Sequence, residues 1–90
     1  MDHTMALQEL EVLAADLEVE VRYEELGGRG GLCRFGGRTC LLVDQGLSVP
    51  ERVDLFVRGL SSLPLEGVFI RPHLRELLEG RAAEAAPARS

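Results

Sequence analysis

The pair Gly36-Gly37 lies between two short apolar-rich runs, Leu32 to Phe35 and Arg38 to Asp44, and constrains this chain more than any other feature. Two glycines at the centre of such a pattern suit a type I′ turn, because both central residues need positive φ. The turn makes the two runs an antiparallel hairpin and sets its register, with Phe35 opposite Arg38, Arg34 opposite Thr39 and Cys33 opposite Cys40.

The elements on either side follow from periodicity. From Thr4 to Leu17, Leu7, Leu10, Leu13, Ala14 and Leu17 recur at three and four residues, as on one face of an amphipathic helix. Glu18 to Tyr23 switches to period two, with Val19, Val21 and Tyr23 on one side, and reads as a half-buried strand. Gly27 to Gly31 breaks it. Ser48-Val49-Pro50-Glu51 has the form of a capped helix start. Val53, Phe56, Val57, Leu60 and Leu63 form one stripe of that helix, and Pro64 stops it. Leu65 to Ile70 reads as a short extended segment. Pro72 then opens a last helix with Leu74, Leu77 and Leu78 inward and Gly80 at its end. The order α-β-β-β-α-(β)-α predicts an α+β fold, a three-stranded antiparallel meander with two to three helices on one face.

Ninety residues, 46% apolar and 28% charged, leave room for one core. The expectation is one compact domain over residues 1–80 and a disordered tail over 81–90, where RAAEAAPARS offers little but alanine to bury. No apolar run approaches the roughly 20 residues of a membrane span, and the N-terminus lacks the pattern of a leader, which points to a cytoplasmic protein. The net charge of -5 is unevenly spread. Up to Gly28 there are eight acids against Arg22, whereas residues 29–43 carry Arg29, Arg34 and Arg38 and no acid. A basic island on an acidic chain without Trp argues against general nucleic-acid binding.

The cysteines are cross-strand neighbours. Counting from the turn, theirs is a hydrogen-bonded pair, whose side chains stand at about 5.5 Å, wider than the roughly 3.5–4.5 Å a bridge wants. They read as small buried hydrophobes, with a thiol-redox or metal sensor on Cys33 and Cys40 as the alternative. For zinc, the C-x6-C spacing exceeds that of knuckles, and only His3 and His73 could complete a ligand set. The glycine loop lacks a Walker lysine and a helix after it, which speaks against phosphate binding. The acids lie on solvent faces, and no nucleophile is paired with a base. The sequence thus predicts no enzyme, no metal and no cofactor.

It does ask for a partner. Leu55 falls off the apolar stripe of its helix, on the side that carries Gly59 and Ser62, a surface another helix could approach. The acidic first helix and the basic hairpin, with Arg29, Arg34 and Arg38, offer a second, electrostatic route to association. The expected function is a small non-catalytic protein-protein interaction domain, a homodimer or an adaptor. An accessory subunit of an enzyme encoded elsewhere is a further alternative.

Two resemblances accompany this reading. GGRGGLCRFGGRTCLLVD, followed by SVPERVDLFVRGL and LEGVFIRPHLREL, resembles a group of short bacterial proteins without an assigned activity, over about Leu7 to Glu79. A helix, a strand, a G-x-C-R hairpin and a helix opened by E-R also resembles the front of ImmA/IrrE-type zinc peptidase domains. Those carry H-E-x-x-H on that helix, where this chain has Val57-Arg58-Gly59-Leu60-Ser61. The second resemblance therefore implies the shape without the catalysis.

Overall fold

The computed structural model describes residues 2–28 and 30–85, without the side chains of 81–85. Helix α1 (His3–Asp16) begins where Asp2 accepts a hydrogen bond from the Met5 N–H at 2.8 Å, and buries Ala6, Leu7, Leu10, Leu13 and Ala14. Glu18 turns the chain with a φ of 60°. Strand β1 (Val19–Glu24) follows, then β2 (Gly30–Phe35) and β3 (Arg38–Asp44). The β2–β3 hairpin has the expected register, with Cys33 facing Cys40, and both turn glycines have positive φ, 59° and 82°.

The sheet is not a meander. Its order is β1-β3-β2, and β1 runs parallel to β3, from Val19 beside Thr39 to Glu24 beside Asp44. A parallel connection needs about a dozen residues, which the segment 25–37 supplies with β2 inside it. The apolar run Cys40-Leu41-Leu42-Val43 gives β3 the character of a central strand, while β2, with two glycines and an exposed phenylalanine, lies at an edge. Asp44 secures the crossover. Its carboxylate accepts hydrogen bonds from the backbone N–H groups of Leu26 (2.7 Å) and Gly46 (3.0 Å). Those backbone donors, Leu26 first, hold its carboxyl below the usual carboxylate range.

Helix α2 (Val49–Ser61) starts with the expected reciprocal cap. The Glu51 N–H donates to the Ser48 hydroxyl at 3.3 Å, and the Ser48 N–H donates to the Glu51 carboxylate at 2.9 Å. The segment from Leu65 to Ile70 forms a turn, not a strand, with the Val68 N–H donating to the Leu65 carbonyl. Helix α3 (Pro72–Ala85) opens at Pro72 as expected but runs through Gly80 without ending there. The tail expected over 81–90 is thus helical in backbone as far as Ala85, and residues 86–90 lie outside the described residues.

The architecture is α+β, three helices and a mixed three-stranded sheet. Val19, Leu41 and Val43 share one core with Leu10 and Leu13 of α1, Phe56 and Leu60 of α2, and Leu74 and Leu78 of α3. Cys40 stands outside that core although it is buried, since the alternation of β3 turns it to the opposite face.

Candidate interaction surface

The α2 patch read from the sequence is largely closed by the protein itself. Leu55 is only 5% exposed, which corrects the expectation of a surface leucine, and Gly59 is buried as well. A helical wheel shows which residues share a side of α2, but not that β2 lies against that side. A Cβ on Gly59 would come within 3.0 Å of Leu41 Cδ1 and 3.8 Å of the Leu32 side chain. The close approach that small residues permit is therefore made by the sheet. Exposed Ser62 keeps its hydroxyl in the chain, donating to the Gly59 carbonyl at 2.6 Å.

What remains open is a cleft of about 280 Å³ between β2 and α2, lined by Gly30, Gly31, Leu32, Leu55, Arg58, Gly59 and Ser62. It runs beside the outer edge of β2, which pairs with β3 on one side only. The pair Phe35 and Arg38 closes a two-residue turn and is therefore hydrogen-bonded, so Phe35, Cys33 and Gly31 point their backbone groups at β3. Alternation then turns the N–H and C=O groups of Gly30, Leu32 and Arg34 outward. Arg58 is paired with Asp54 at 3.1 Å. Arg34 and Arg38 are exposed near the turn, and Arg29 lies outside the described residues.

The cysteines are on the sheet face turned from the helices, Cys33 half-buried and Cys40 buried, both as free thiols. Burial pushes the Cys40 thiol up, helped by Cys33 and Glu20 beside it. A thiol held protonated is a poor nucleophile and a poor metal ligand. Among the described residues, no three His, Cys, Asp or Glu side chains cluster as metal ligands would. Of the positions matched to H-E-x-x-H, Val57 is buried in the core and the Ser61 hydroxyl donates to the Arg58 carbonyl at 3.2 Å. His73 bonds Glu9 of α1 at 2.9 Å through Nε2, and Arg71 approaches the same carboxylate at 4.0 Å.

A second concavity was not legible in the sequence. Between α1 and the start of α3 lies a groove of about 410 Å³ lined by Gln8, Glu9, Val12, Leu13 and Asp16 on one side and Phe69, Ile70, Arg71 and Leu74 on the other. Val12 is 62% exposed and Phe69 81% exposed. Phe69 belongs to a segment without periodicity, and Val12 lies off the α1 stripe, so no pattern joins them. No protein-family model matches the chain, and neither the curated proteins nor the solved structures yield a match. Among the described residues, no helix is long and apolar enough to cross a membrane.

Proposed function

We propose that this protein is a non-catalytic interaction domain that receives an extended segment of a protein partner along the outer edge of β2. The observation that carries the reading is the free edge of β2 with an apolar cleft beside it. An added strand would take main-chain hydrogen bonds from Gly30, Leu32 and Arg34, and alternate side chains would enter the cleft against Leu32 and Leu55. Arg34 and Arg38 favour a segment that carries carboxylates. If the partner is an enzyme, the domain is its accessory subunit. The thiol-sensor alternative has less support, because Cys40 is held in its unreactive form.

The test is selection from a library of random peptides, followed by mapping of backbone amide shifts. Selected peptides should perturb Gly30, Leu32 and Arg34 most, and Arg34→Pro, which removes one outward donor, should weaken them by about tenfold without lowering the melting temperature. Peptides that bind elsewhere, or that bind Arg34→Pro equally well, would refute the edge as the site.

A further inference from the structure

The hairpin end and the α1–α3 groove have complementary chemistry. At the hairpin end, Phe35 is 77% exposed, next to Gly36-Gly37 and flanked by Arg34 and Arg38. Neither arginine forms an ion pair among the described residues. Arg38 faces Glu18 and Glu20 only across a cleft. The groove has an apolar floor of Leu13, Ile70 and Leu74, apolar walls in Val12 and Phe69, and charged side chains at Glu9, Arg71 and Asp16, of which Arg71 lies beside Glu9 and leaves Asp16 as the acid without an ion pair among the described residues.

A second observation comes from α1 itself. Asp16 ends the helix, Glu18 follows it, and no base stands in the last turn, so negative charge collects where the helix dipole is already negative. Among the described residues neither acid is in an ion pair, and Arg38 of the same chain stands across a cleft from Glu18. Glu9, by contrast, already has His73 and Arg71.

We propose that two copies of this chain associate about a two-fold axis, each placing Phe35 in the α1–α3 groove of the other, with Arg34 reaching the acidic end of α1. Closure follows from placement. Leu17 and Glu18, just beyond Asp16, line one cleft with Gly37 and Arg38, so knob and socket share one end of the molecule. Copies that meet at that end exchange hairpins reciprocally, an isologous contact that closes at two subunits. An aromatic side chain buries roughly 150–250 Å², well short of the roughly 1,200–2,000 Å² of a stable interface. One insertion alone is too small, and the two-fold axis doubles it only to roughly 300–500 Å², still below that range. The expected dimer is weak and salt-sensitive. The inference goes beyond the capture of a partner segment and shares only Arg34 with it; Phe35→Ser and Val12→Glu touch the dimer contact alone, so either reading can fail without the other.

Sedimentation equilibrium of the full chain over a dilution series at low salt tests it. The mass should rise from the monomer's 9.9 kDa to twice that and no further. Phe35→Ser and Val12→Glu, both at exposed positions, should each weaken association by about tenfold or more with unchanged melting temperature. Arg34→Glu should weaken it, Asp16→Arg should weaken it, and the two variants mixed should associate better than either alone. A monomer at every concentration, a dimer indifferent to Phe35→Ser, or a mass that keeps growing past two subunits would each overturn the proposal.

Discussion

Gly30 has a φ of 99°, and a Cβ on it would run into the Leu42 carbonyl oxygen of the adjacent strand. Both constraints come from the start of β2, where the loop from β1 bends the chain onto β3. Glycine there is a condition of pairing, in contrast to Gly36 and Gly37, around which the space is open and positive φ is the sole demand. Gly30→Ala should destabilise the domain by about 2–3 kcal/mol, seen as a lower urea midpoint. The glycine run of residues 27–31 reads in the sequence as a loop, and the strand in fact begins inside it.

The elements are tied by a few polar contacts across the core. The Tyr23 hydroxyl donates to the Glu11 carboxylate at 2.6 Å, linking β1 to α1, and the Arg52 guanidinium of α2 lies 5.2 Å from the Tyr23 ring centre. Arg52 also donates to the carbonyls of Leu47 and Gln45, both at 3.0 Å, which fixes the approach of α2. Burial, with the Glu11 carboxylate second, pushes the Tyr23 phenol up to about 12 from 10.0. A raised pKa means that the fold favours the neutral phenol. Its contribution is complete below pH 10 and is lost as pH rises through about 12. Tyr23→Phe should cost about 1–2 kcal/mol at neutral pH and should flatten the loss of stability between pH 10 and 12, as followed by urea titrations at a series of pH values. Periodicity placed Tyr23 on the buried side of its strand. It could not name Glu11 as the partner, because the pairing depends on how α1 folds back.

On the scale of the whole molecule, one core joins three helices to one face of the sheet, with Phe56 fully buried at its centre. A 90-residue domain has a total stability of roughly 5–13 kcal/mol, and Phe56→Ala should remove about 3–5 kcal/mol. The expected outcome is a large fall in melting temperature, with a single transition retained. Features governed by neighbours in sequence were legible beforehand: the glycine turn, the serine cap, the proline helix start. Features governed by distant contacts were not. The burial of Leu55 depends on β2, the groove at Phe69 on the spacing of two helices, and the partner of β1 on which strand becomes central. That last feature also bears on synthesis. With β3 as its one neighbour in the sheet of the described residues, β1 emerges from the ribosome before the strand it pairs with. At roughly 5–20 residues per second, one to four seconds separate the emergence of Glu24 from that of Asp44. During that interval the nascent chain presents an amphipathic helix and an unpaired strand, the stage at which a chaperone would have most to hold.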